Sequence, residues 1–206
     1  LQAVILSQYR RKIFEKNKKL VKPVILFKSK TIAESKSFYT EFIEKIKKLQ
    51  MSDIIEIFTS SDFTIQKCKK HLETNNISLE NFIQELKIDF AEERSIEVNS
   101  KEESEEKQIA VNTLESPDNE YRTVFAVDKL NEGWDVLNLF DIVRLYETRD
   151  ADTKTGKPGK TTIAEAQLIG RGARYFPYQL DETQPIYQRK FDDDLDNELR
   201  ICEELY

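Results

Sequence analysis

Cysteine and histidine are almost missing from this chain of 206 residues: Cys68, Cys202 and His71 are the whole complement. Two cysteines exclude a disulfide scaffold, and one histidine beside them excludes a Cys/His zinc site and histidine-rich chemistry. Reducing cytosol, and hence a cytoplasmic protein, is the compartment this predicts. No run approaches the roughly 18 apolar residues that a membrane-spanning helix needs. The opening LQAVILSQYRRK places its charge after the apolar stretch and has no small-residue cleavage site, the wrong order for a signal peptide. The chain does not begin with Met, so a piece of something longer is expected.

What is present is enough for a sizeable core: 39 % apolar and 10 % aromatic residues, under a surface that holds much of the 34 % charge. The net charge of −6 conceals a gradient. Residues 1–50 balance at +9, residues 51–120 at −10 and residues 121–206 at −5. The basic stretch from Arg10 to Lys48 has two readings, an attraction for a polyanion such as nucleic acid or ordinary solvated helix faces.

Periodicity organises the chain. Ile5, Tyr9 and Ile13 predict a helix over 2–19, stopped by Pro23. Val24-Ile25-Leu26-Phe27 is a continuous apolar run of strand length, as a strand buried on both faces requires. A long amphipathic helix follows at 31–49, and residues 51–93 read as two or three inserted helices, one entered through Ser78 as N-cap. SIEVNS (95–100), TVFAV (123–127) and DIVRLY (141–146) read as further strands. A helix at 103–115, another from Thr162 and a short acidic one near 194–205 complete the pattern. Strands alternating with helices predict an α/β fold with a mainly parallel sheet. Residues 1–180 are expected to form one domain with the helical insertion at 51–93, and residues 181–206 an extension from it.

Three segments imitate chemistry they do not carry. Gly156 to Thr162 ends like a phosphate-binding P-loop, but the position five residues before Gly159 is Lys154 and no buried strand leads into it. Asp181-Glu182-Thr183-Gln184 imitates an acidic Mg²⁺ box yet follows a polar loop. Pro117-Asp118-Asn119-Glu120 is too compressed for a metal-nuclease motif and reads as a turn. No metal site is expected in the chain.

The informative constellation is Gln167-x-x-Gly170-Arg171-x-x-Arg174. On a helix these four positions share one face. Planar arginine donors suit phosphate oxygens, and Gly170 permits close approach; the competing reading is a salt-bridged surface. The strand ending at Val127 runs into Asp128-Lys129-Leu130-Asn131-Glu132-Gly133-Trp134-Asp135. Ligands of open parallel sheets sit beyond the carboxyl ends of strands. Gly133 would allow a tight approach, Asp135 offers an acceptor for a sugar hydroxyl, and Trp134 is read first as a packing residue.

VFAVDKLNEGWDVLNLFDIV and EAQLIGRGARYFPY together resemble motifs V and VI of superfamily 2 helicases, in wording closest to the Res (restriction and translocation) subunit of type III restriction enzymes. KPVILFKSKTI resembles motif IV. The resemblance covers nearly the whole chain except 51–93. It implies the second of two RecA-like motor domains. It further implies that Arg174 is an arginine finger for the γ-phosphate and Arg171 its companion. Gln167, Gly170, Gly133 and Asp135 would lie near the nucleotide, and Lys28, Ser100 and Lys129 near the DNA backbone. ATP and Mg²⁺ would be held mainly by the first motor domain. The partners implied are that domain, double-stranded DNA and a DNA methyltransferase (modification) subunit, with no membrane. Two departures stand out: Val127 occupies a position often held by a phosphate-contacting Thr, and Leu168 one often held by Arg. DNA cleavage would belong to another domain, so the isolated chain is expected to be inactive. A stand-alone superfamily 2 helicase fragment, a non-catalytic RecA-like docking domain and a DNA-binding module built on helices 1–49 remain as alternatives.

Overall fold

The computed structural model describes residues 1–99, 104–127, 134–146, 166–170 and 176–206. The elements run α1 (Gln2–Lys16), β1 (Val24–Lys28), α2 (Ile32–Lys47), α3 (Met51–Phe58), α4 (Phe63–Thr74), α5 (Leu79–Asp89), β2 (Ser95–Val98), α6 (Glu105–Asn112), β3 (Thr123–Ala126) and β4 (Leu139–Arg144). Short 3₁₀ turns occupy Glu92–Arg94 and Glu198–Glu203. The fold is α/β as expected, with a four-stranded sheet in the order β2-β3-β1-β4, every pair parallel.

Strand β1 lies inside this sheet and is buried along its whole length, which is why its sequence is unbroken VILF rather than an alternation. Successive side chains serve opposite faces. Ile25 and Phe27 join a large cluster with α1, α2 and the 51–93 helices. Val24 and Leu26 join a smaller one with Val111 and Leu114, Trp134 and Leu168. Phe27 and Phe125 stack at 5.0 Å on the first face, and Phe42 closes over both. Each such fully buried ring contributes about 1.5–3 kcal/mol.

Residues 51–93 hold three α-helices, and Ser78 caps α5 by accepting from the Asn81 amide. These helices pack with their apolar stripe, Ile54, Phe58, Ile65, Leu72, Phe82 and Leu86, into the same cluster as α1. Helix α2 opens with a reciprocal capping box between Thr31 and Glu34. Helix α1 ends at Lys16, before Pro23 is reached. A Schellman turn stops it: Lys18 adopts φ 57°, its amide bonds Glu15 and the Lys19 amide bonds Phe14. The proline therefore starts β1 and does not end α1.

β4 begins at Leu139, two residues before the expected start, and it carries a bulge: Val24 pairs with Leu139 but Ile25 with Asp141. Phe140 is the extra residue. Phe140 joins the α1 side of the core, and Asp141 reaches Arg10 on α1 at 2.7 Å. Arg10 also donates to the Ile201 carbonyl at 2.8 Å. Tyr206 exchanges backbone hydrogen bonds with Phe140 and Ile142, in the pattern of a parallel bridge on the outer edge of β4. Phe191, Leu199, Ile201 and Cys202 are buried with α1. Among the described residues no helix is long and apolar enough to cross a membrane.

The basic start is not an open cationic face. Arg10 pairs with Asp141, Arg11 with Asp89, Lys12 with Glu85, Lys16 with Glu198 and Lys47 with Glu92. The charge gradient along the chain becomes a set of ion pairs between its first quarter and the rest.

Candidate functional site

The carboxyl ends of β2, β3, β1 and β4 lie in register at Val98, Ala126, Lys28 and Arg144. Beside this edge a groove of about 370 Å³ opens between β4 and the helical residues 166–170, lined by Lys28, Ile142, Arg144, Leu168, Ile169, Leu205 and Tyr206. Leu168 fixes the helical residues, being 1 % exposed and packed against the second face of the sheet. Its apolar character at that position therefore has a structural cause. Gln167 and Gly170 stand exposed to either side of it. A Cβ built on Gly170 meets nothing within 4 Å, so nothing among the described residues demands glycine there, and the space above it is open to an incoming group.

Lys28 lines the groove but is itself buried, 4 % exposed. Asp135 is exposed, on the crossover that returns the chain from the end of β3 to the start of β4, and it does not line the groove. Its neighbour Trp134 is 2 % exposed and donates from Nε1 to the Val111 carbonyl at 2.8 Å. Trp134 is thus a packing residue that pins the crossover to α6. Ser100, Lys129, Gly133, Arg171 and Arg174 lie outside the described residues, as do residues 156–162 with their P-loop likeness. Asp181 holds a turn, accepting from the Thr183 amide at 2.9 Å, and is exposed.

Arg144 was not anticipated. It is the register partner of Lys28, is exposed at the carboxyl end of β4, and lies 5.7 Å from the Tyr146 ring. The signal was the arginine inside DIVRLY, which strand periodicity alone places at the sheet's end only once the register with β1 is known. Among the described residues no group of three His, Cys, Asp or Glu is gathered to hold a metal ion. The buried thiols are chemically quiet: burial pushes Cys68 up to about 12 and Cys202 higher still.

The chain is 34 % identical over 182 residues to the probable type III restriction-modification enzyme HindVIP Res subunit of Haemophilus influenzae, across 78 % of this chain and 35 % of that relative. It is 47 % identical over 60 residues to an uncharacterized protein of the same organism, across 29 % of this chain and 13 % of the relative. The chain therefore spans about a third of the first relative's length and less of the second's. A family model described as HI_1054_N, N-terminal region, matches residues 161–206. No solved structure matches the chain. The chain has a Res-like relationship, and its four-stranded parallel sheet with flanking helices is consistent with a RecA-like domain.

Proposed function

We propose that this chain is the second motor half of the ATP-dependent DNA translocase in a type III restriction endonuclease. The observation that carries the reading is the likeness to a Res subunit over 78 % of the chain. In this reading residues 1–180 are the motor domain, with 51–93 as its helical insertion and 181–206 leading onward. A first motor domain holds ATP and Mg²⁺, and the ATP supplies the phosphoryl chemistry. On this chain the phosphates are met by the face that begins with Gln167 and Gly170. Both are exposed, with open space over Gly170, which fits the approach of a large ligand. Arg171 and Arg174, one and four residues further along the chain, supply positive charge to the γ-phosphate oxygens. Asp135 and Gly133 take the nucleoside side.

Domain closure and reopening then move double-stranded DNA, gripped by its backbone at the carboxyl edge. Lys28, Ser100 and Lys129 are the contacts assigned there. The buried position of Lys28 makes it a weaker contact than an exposed lysine would be. A modification subunit supplies target choice, and the working place is the prokaryotic cytoplasm.

The test is Arg174→Ala in the intact enzyme. A supplied arginine of this kind is worth about 10³–10⁵ in rate, so DNA-stimulated ATP turnover should disappear while ATP binding is largely kept. Unchanged turnover removes the finger assignment.

A further inference from the structure

The amino-terminal end of the sheet gathers a second cluster of arginines and lysines among carboxylates, where Arg11 donates from Nε to Glu15 at 2.8 Å. Asp89 closes α5 there. Its Oδ2 accepts from Arg11 at 2.7 Å and from Arg122 at 3.1 Å, and its Oδ1 accepts from Arg94 at 2.7 Å. One carboxylate thus faces three guanidiniums. Arg122 is fully buried and spends its donors on Pro23, Gln8 and Ser7. Arg11 and Arg94 are half-buried. Nη2 of Arg11, and Nε and Nη2 of Arg94, make no hydrogen bond among the described residues.

Arg11 and Arg94 line a cleft of about 340 Å³ together with Lys19 and Lys22. Lys22 donates to the backbone and side-chain oxygens of Asn119. Burial, and then the positive field of Arg122, Arg11 and Arg94, lowers its ammonium to about 8. The share of this lowering that comes from the three guanidiniums, which Glu120 opposes, is the share that would favour an anion. Asn138 also lines the cleft. Its Nδ2 is used twice, on Lys22 and Leu114, while its buried Oδ1 has no partner. Such a wall can accept a bond from the O–H of a protonated oxyanion or of a bridging water.

The rim decides the size of the ligand. Glu15, Glu115 and Glu120 border the same cleft and would repel the successive phosphates of a nucleic-acid strand. The volume is that of a small-molecule site. We infer that this cleft binds one phosphate group, free or carried by a small molecule such as a mononucleotide, at a site separate from the carboxyl edge. Guanidinium donors on a phosphate oxygen are the strong form of such recognition, and Arg11 and Arg94 line the same cleft with donors to spare.

The experiment titrates inorganic phosphate into the 206-residue chain by calorimetry and by thermal unfolding, against chloride at equal ionic strength. Phosphate is expected to bind saturably and to raise the melting temperature, and chloride is not. Replacing Lys19 and Lys22 together by Gln removes two charged donors and should weaken phosphate at least about tenfold. Glu120→Gln, at an exposed rim position, should tighten it, and this variant answers the question even if the lysine pair proves necessary for folding. Adenosine monophosphate binding more tightly than phosphate assigns the small-molecule source; phosphate alone assigns the free ion. The inference is overturned if phosphate acts no differently from chloride, if neither substitution changes its affinity, or if a duplex oligonucleotide displaces it at lower concentration than the mononucleotide does.

Discussion

The two ends of the sheet use the same residue types for opposite purposes. At the amino end Arg122 is fully buried, donating to a carbonyl, an amide oxygen, a hydroxyl and Asp89. At the carboxyl end Gln167 and Gly170 stand exposed on a helical turn whose Leu168 is buried, and Arg144 is exposed beside the groove. An arginine in this sequence is therefore not evidence of a site by its type. Arg10 and Arg122 are the two largest fully buried side chains among the described residues. Burial lowers the Arg122 guanidinium to about 10 against the pull of Asp89, so it stays charged at neutral pH and must stay paired. Arg122 holds the strands in place from beneath the amino-end cleft, whereas Gln167, Gly170 and Arg144 are exposed at the carboxyl end.

The comparison breaks most decisively at Arg122. Arg122→Met leaves Asp89 buried with fewer donors and should cost about 3–5 kcal/mol, read as a lowered midpoint in urea unfolding. A loss below 1 kcal/mol would show that the amino end is not the clamp it looks like. Trp134→Phe comes next. It keeps an aromatic ring under the crossover but strands the Val111 carbonyl, and about 1–2 kcal/mol should be lost. The same unfolding measurement reads it.

Gly170→Ala should have the reverse sign. The added methyl meets nothing, and a helical glycine costs about 0.5–1 kcal/mol relative to alanine, so the chain should become slightly more stable. If Gly170 serves the proposed nucleotide face, the intact enzyme carrying this change should nonetheless lose ATP turnover. Stability up with activity down separates the carboxyl end from the amino end more sharply than any loss could.

The smallest effect is a pH dependence at His71. Burial is the main cause that lowers its imidazole below the usual 6.5; Glu198 at 3.9 Å opposes this, and Lys16 and Lys12 add to it. The unfolded chain then takes up the proton first, so stability falls as pH drops through 6.5 toward the folded value. Thermal melts between pH 5 and 7 should slope upward with pH, and the slope should be shallower in His71→Gln. An identical slope would mean that carboxylates alone set the acid limb.

Much of the architecture was legible beforehand because it depends on neighbours in the chain. VILF announces a strand covered on both faces, Ser78 a helix start, and the repeat Leu79, Phe82, Leu86 the core-facing stripe of α5, with Phe82 and Leu86 buried and Leu79 partly so. The exposure of the proposed site residues was legible for the same reason: Gln167 and Gly170 fall on the exposed side of a helical turn whose Leu168 turns inward. The end of α1 was misread because a left-handed Lys18 carries no glycine to announce it. The bulge at Phe140 was invisible because it is a relation between two strands.

The sequence by itself determined the α/β class and the run of strands and helices along the chain, since these follow from hydrophobic period and local capping. Only the tertiary structure decided what the charges do. Arg10 and Asp141 are 131 positions apart, and Arg11 and Asp89 are 78 apart. A +9 segment looks like a nucleic-acid surface until folding brings acidic partners to Arg10, Arg11, Lys12, Lys16 and Lys47. Ion pairing acts over a few ångströms of space whatever the separation along the chain, and a linear reading of charge cannot see it.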